Sequence, residues 1–189
     1  MKSEIEQLIN NSAEIIKKTS SLSGEIQKVI NEIIRCLKNG NKVILFGNGG
    51  SAADAQHIAA EFIGRFQVER QSLPAIALTT DSSIITSLAN DYSYDTVFSR
   101  QCESLVLPGD VVIGISTSGN SKNVKEGVET AKKKGAIAIG LLGNNGGILK
   151  NSVNISLIVG SSITSEIQEV HRVIYHIICK IVEKELAKK

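Results

Sequence analysis

The chain has 189 residues, enough for one domain with a sizeable core, and its 42% hydrophobic and 21% charged residues are ordinary for a globular protein. A formal net charge of +2, 4% aromatic residues and no Trp supply neither the basic field nor the stacking platforms of a nucleic-acid binder. No apolar run approaches the roughly 20 residues needed to span a bilayer.

The three cysteines, Cys36, Cys102 and Cys179, are odd in number and widely spaced, which fits neither a disulfide framework nor a zinc ribbon. Each sits in a helical, partly apolar context and reads as a small core residue. The charged, amphipathic N-terminus has no signal-peptide pattern, so a reduced, cytoplasmic protein is expected.

In chain order, the first forty residues read as helices. Ile5, Leu8, Ile9, Ile15 and Ile16 form one helical pattern, and Ile26, Val29, Ile30, Ile33, Ile34 and Leu37 a second. Asn39-Gly40-Asn41 ends it and turns into the first of five strand candidates: Val43–Phe46, Ala75–Leu78, Val111–Ile115, Ile137–Leu142 and Ile155–Val159. Helices are predicted between them at Ser51–Phe66, Ser82–Ala89, Tyr94–Leu105 and Ser121–Lys134, with a turn or two at Gly146-Gly147-Ile148. Lys132-Lys133-Lys134 reads as a solvated helix C-terminus, where cations suit the dipole. Thr164 to Lys189 lacks Gly and Pro and reads as one long helix with a broad apolar stripe.

Short apolar strands alternating with helices imply a parallel sheet covered on both faces, with ligands at the carboxyl ends of the strands. No linker or internal repeat demands a second domain, so residues 1–40 are helices attached to an α/β core at 41–189. The N-terminal and C-terminal helices exceed what a minimal sheet needs. They serve as an oligomer interface or as further cover for the same core.

Two loops carry the chemistry. Gly47-Asn48-Gly49-Gly50-Ser51 follows the first strand and opens a helix, whose N-terminus favours an anion. Ser51 is either its N-cap or a phosphate donor. Ser116-Thr117-Ser118-Gly119-Asn120-Ser121 repeats the theme after the third strand, with four hydroxyls suited to phosphate oxygens. Neither loop has a Walker A Lys, and there is no G-x-G-x-x-G fingerprint. His57 and Glu61 lie one turn apart on the first of these helices, as a metal pair or as a base with its partner. Gln168 and His176 lie eight residues apart on the long helix, about 12 Å along it and roughly 80° around it. Either the geometry of one site is stretched or the two serve sites shared between subunits. Asn90-Asp91 offers groups for sugar hydroxyls, or simply ends a helix. His171 points to another face and reads as structural.

GNGGSAADAQHIAAEFIGRF, the SLAND segment, GISTSGNSKNV and IQEVHRVIYH together resemble the bacterial phosphoheptose isomerases of the sugar-isomerase (SIS) domain superfamily over nearly the whole chain. The resemblance implies a single SIS domain, a flavodoxin-like three-layer α/β/α sandwich with a five-stranded parallel sheet, and a homotetramer with active sites at subunit interfaces. It implies conversion of sedoheptulose 7-phosphate to D-glycero-D-manno-heptose 7-phosphate, the first step toward nucleotide-activated heptose for lipopolysaccharide or capsule. Gly49, Gly50, Ser51, Glu61, Asn90, Asp91, Ser116, Thr117, Ser118, Ser121 and Gln168 would contact substrate. His57, Glu61, Gln168 and His176 would hold one zinc ion, and Glu61 and His176 would be the acid–base pair. One departure stands out: Glu166 occupies a position that is basic in many relatives. Competing readings are an SIS sugar-phosphate sensor, a binder of a replication initiator protein, and an isomerase of shorter sugar phosphates.

Overall fold

The computed structural model describes residues 1–187. Two helices lead, α1 (Lys2–Lys18) and α2 (Ser23–Lys38), joined by a 3₁₀ turn at Thr19–Leu22. There follow β1 (Val43–Gly47), α3 (Gly50–Ile63), β2 (Ala75–Ala77), α4 (Ser82–Asp91), α5 (Ser99–Leu105), β3 (Val111–Ser116), α6 (Lys122–Lys133), β4 (Ile137–Gly143), β5 (Ile155–Val159) and α7 (Thr164–Leu186). The five strands are all parallel, in the order β2-β1-β3-β4-β5.

The strands are apolar on both sides because both sides are covered. Along β1, Val43 and Leu45 enter a core shared with α2, α3 and α7, while Ile44 and Phe46 enter a second core with α5 and α6. The expected three-layer sandwich follows. Strand order reverses between β1 and β3, so the loops leaving those two strands part in opposite directions and open a crevice between them.

Three predicted helices change at their ends. Tyr94–Leu105 is not one helix: a 3₁₀ turn at Tyr94–Thr96 precedes α5. Val97 and Phe98, at the junction, are both buried, and Phe98 stacks on Phe46 at 4.8 Å between ring centroids. Neighbouring residues of a regular helix point about 100° apart, so the change of pitch turns both inward. The helix expected to reach Phe66 stops at Ile63, because Arg70 takes the carbonyls of Glu61 (2.8 Å) and Phe62 (2.9 Å). The Phe66 N–H instead donates to Glu183 at 2.8 Å. The helix expected to end at Ala89 continues through Asn90 and Asp91. Lys188 and Lys189, in the expected C-terminal helix, lie outside the described residues.

Of the leading helices, α2 buries Ile26, Val29, Ile30, Ile33 and Cys36 and covers the core. α1 buries none of its residues and leaves Ile5, Leu8 and Ile9 51–63% exposed. All three cysteines are buried and unpaired. Among the described residues no helix is long and apolar enough to cross a membrane.

Candidate active site

α3 and α7 run side by side in the same direction, and their pairing sets the site. Gln168 lies against Gly50 at the start of α3, Arg172 and Tyr175 face Asp54 a turn later, and Glu183 receives the chain just beyond the helix end. The approach at Gly50 is so close that a Cβ there would collide with Gln168 Nε2.

The glycine turn enters α3 through Gly49, whose φ of 56° suits glycine and makes it the N-cap residue. Ser51 therefore lies inside the helix, buried, and no side chain caps it. Of its two predicted roles, capping falls away. The serine loop behaves similarly. Ser121 occupies the N-cap position of α6 but makes no capping bond; its hydroxyl lies 2.9 Å from that of Ser116. Ser118 Oγ is 3.4 Å from Ser116 Oγ, so three hydroxyls gather at the carboxyl end of β3. The Thr117 carbonyl turns away to accept from Asn144 Nδ2 at 3.1 Å.

At the other end of α3, His57 Nε2 stands 3.0 Å from Glu61 Oε1. The His176 ring meets the His57 ring edge-on at 5.2 Å between centroids. Ligand atoms of His57, Glu61 and His176 all lie within 4.8 Å of one another, all three half-buried. Two imidazole nitrogens and a carboxylate oxygen suit a borderline-soft divalent cation, which needs its histidines neutral. Burial, then the neighbouring His57, holds the His176 imidazole below its ordinary value, in its metal-binding form at neutral pH.

The family model described as "SIS domain" matches residues 7–143. The phosphoheptose isomerase of Aquifex aeolicus is 48% identical over 190 residues, with 100% of both chains covered. That of Trichlorobacter lovleyi is 48% identical over 180 residues, 95% of this chain and 92% of its own. A solved structure of phosphoheptose isomerase from Neisseria gonorrhoeae superposes with a TM-score of 0.92 at 37% identity, covering 97% of this chain and 98% of that one. The chain belongs to the phosphoheptose isomerase family.

In this family member the residues carried over by resemblance fall into four places. Gly49, Gly50, Ser51, Ser116, Thr117, Ser118 and Ser121 ring the crevice between β1 and β3. His57, Glu61 and His176 gather where their ligand atoms could hold a metal ion. Gln168 lies by the glycine turn, about 12 Å along α7 from His176. Asn90 and Asp91 are exposed in the last turn of α4, joined by a 2.9 Å hydrogen bond. Glu166, at the usually basic position, lies in the first turn of α7 and accepts the Ser161 hydroxyl at 2.6 Å.

Several supporting residues escaped the sequence reading. Asn48 and Asn123 tie the two loops together, and Tyr94 donates its hydroxyl to Asn48 Oδ1 at 3.2 Å. Asp54 and Tyr175 stand behind His57. Burial, then the charge of Asp54, pushes the Tyr175 phenol up to about 12, so it keeps its hydrogen at neutral pH. Glu183 and Arg70 hold the end of α3. Asn48, Asp54, Asn123 and Tyr175 all lie inside the motif segments that carry the resemblance, which was the one signal available; Tyr94, Arg70 and Glu183 lie outside them.

Proposed function

We infer that the chain is a phosphoheptose isomerase, converting sedoheptulose 7-phosphate to D-glycero-D-manno-heptose 7-phosphate through an enediol, the first step of nucleotide-activated heptose biosynthesis. The observation that carries this reading is the convergence, in a chain of this family, of a hydroxyl-lined loop at one end of α3 with His57, Glu61 and His176 at the other. Gly50 and His57 are seven residues apart, about 10 Å along the helix, room for a sugar phosphate to lie along α3.

The Ser116, Ser118 and Ser121 hydroxyls, with N–H groups at the starts of α3 and α6, bind the phosphate. Gly49, Gly50, Ser51, Thr117 and Gln168 line the substrate beside them. Glu61 removes a proton from C1 of the open-chain ketose and returns one to C2. One carboxylate oxygen faces His57, and the other is assigned this transfer. His176 moves the proton between the C1 and C2 oxygens and serves ring opening, since imidazole gives and takes protons near neutral pH. His57, Glu61 and His176 fit a zinc ion, which when bound polarises the carbonyl and offsets enediolate charge. Gln168, against Gly50 and about 12 Å along α7 from His176, would complete such a set at a site shared between subunits.

A homotetramer is proposed on the exposed stripe of α1 and on an apolar groove of about 890 Å³ between α1, α2 and α7, lined by Ile16, Ile26, Ile30, Ile177 and Ile181 among others. A cytoplasmic location is proposed from the three unpaired cysteines and the phosphorylated substrate. The sensor reading explains the phosphate loops but gives no use for His57, Glu61 and His176. Incubation with sedoheptulose 7-phosphate, monitored by NMR for aldoheptose phosphate, tests the reading. Conversion is expected; none after zinc is restored would favour a binding module.

A further inference from the structure

We propose that Tyr175 and Asp54 are positioning residues that fix the His57 ring with its hydrogen on Nδ1, so that Nε2 presents a lone pair to the centre shared with Glu61 and His176. The inference rests on the reading of that centre as a cation site and names the residues that shape it.

Tyr175 is 1% exposed, and its hydroxyl has three polar neighbours: Arg172 Nε at 3.1 Å, His57 Nδ1 at 3.2 Å and Asp54 Oδ1 at 3.3 Å. A phenol has one hydrogen to give and two lone pairs to fill. Arg172 Nε only donates. The Asp54 carboxylate only accepts, and it also takes Arg172 Nη2 at 3.4 Å. The phenolic hydrogen therefore goes to Asp54, since sending it to His57 would leave two bare oxygens facing each other inside the core. His57 Nδ1 is then the second donor to the phenol. With that assignment the phenol gives one hydrogen and accepts two, and every group in the cluster is satisfied.

The consequence falls on the other face of the ring. In the neutral ring, the form a metal ligand requires, His57 Nε2 then carries no hydrogen and stands 3.0 Å from Glu61 Oε1. Two acceptors at that distance repel, and a cation between them turns repulsion into ligation. The same phenol walls the third ligand, because the Tyr175 ring meets the His176 ring edge-on at 4.7 Å between centroids. One buried side chain thus orients one ligand through its hydroxyl and confines another with its ring. Asp54, 2% exposed, has its place by lying one turn before His57 on the face of α3 turned to α7.

A residue that merely filled the core would do so without its hydroxyl. Tyr175→Phe keeps the ring and removes only that oxygen. Zinc affinity, read by competition with a chromogenic chelator, is expected to fall 10–100-fold, the usual cost of losing the partner behind a ligating histidine. Nitrogen-15 shifts of the His57 ring in metal-free protein, read at a pH where the ring is neutral, are expected to show the Nδ1–H form in the wild type and its loss in Tyr175→Phe. Unchanged affinity in Tyr175→Phe, with binding abolished in His57→Ala, overturns the positioning role and leaves the cation site standing. Wild-type zinc binding in His57→Ala overturns both. If Tyr175→Phe does not fold, the wild-type shifts decide alone: the Nε2–H form there overturns the proposal.

Discussion

Asn48 and Asn123 face each other amide to amide, each donating to the other across 2.9 Å. The first belongs to the turn after β1 and the second to the first turn of α6, 75 residues on. Asn123 Oδ1 also accepts from Val124 N at 2.9 Å, so the pair is locked on one side by the helix it begins. It bridges the crevice between β1 and β3 and sets the spacing of the two loops assigned to the phosphate.

Removing the Asn123 amide leaves Asn48 with only the Tyr94 hydroxyl and lets the loops separate. Asn123→Ala is expected to raise KM for the sugar phosphate about tenfold, equivalent to the ~1.4 kcal/mol of a lost pair of amide hydrogen bonds at ~0.5–1.5 kcal/mol each. The effect on kcat should be smaller, because Glu61 and His176, to which proton transfer is assigned, lie toward the far end of α3 and beside it on α7. Steady-state kinetics check this, and an unchanged KM counts against a spacer role. Asn48→Ala combined with Asn123→Ala should cost little more than either alone.

Glu183 fastens the chain after α3. It is 2% exposed and accepts N–H groups from Gln67 at 2.7 Å, Phe66 at 2.8 Å and Val68 at 3.0 Å, with Arg70 Nε at 3.2 Å as an ion pair. Burial alone would raise its carboxyl, but these N–H groups and the Arg70 charge outweigh it and hold it below the ordinary range. Arg70 in turn holds the carbonyl of Glu61. Glu183→Gln strands the Arg70 charge and is expected to destabilise the fold by about 3–5 kcal/mol, read by urea unfolding. A loss below about 1 kcal/mol would place the pair among surface-like ion pairs.

His171 gives the stability curve an acid limb. It is fully buried, and Nε2 donates to the Leu142 carbonyl at 3.1 Å. Burial pushes its pKa down from 6.5 to about 4, against an opposing pull from that hydrogen bond. Between those two values the unfolded chain binds a proton that the folded chain refuses. Stability therefore falls as pH drops from 6.5 toward 4, by about 1.4 kcal/mol per pH unit from this group. His171→Gln keeps a donor for Leu142 without a titrating ring and should flatten that part of the curve. Equal slopes for the two proteins would assign the acid loss elsewhere.

What was legible in the sequence was local. Each of the five predicted strands overlaps its observed counterpart, and both loops proposed for the phosphate fall at strand ends, because apolar runs and Gly/Ser turns are written in neighbouring residues. His57 and Glu61 could be paired because one turn of helix separates them. The helix ends at Ile63 and at Thr96 were not legible, since Arg70, Glu183 and Phe46 decide them from elsewhere in the fold. The same holds for Tyr175 with Asp54, 121 residues apart. Helical spacing left open whether Gln168 and His176 serve one stretched site or sites shared between subunits; the side-by-side course of α3 and α7, which lays Gln168 against Gly50, was not legible.

The role of Glu61 is tested most directly by comparing wild-type protein with Glu61→Gln at matched zinc occupancy, following aldoheptose phosphate formed from sedoheptulose 7-phosphate. Wild-type turnover with a loss of about 10²–10⁴-fold in the variant is expected for removal of the group that moves the carbon-bound proton. Near-normal turnover by Glu61→Gln would contradict the account.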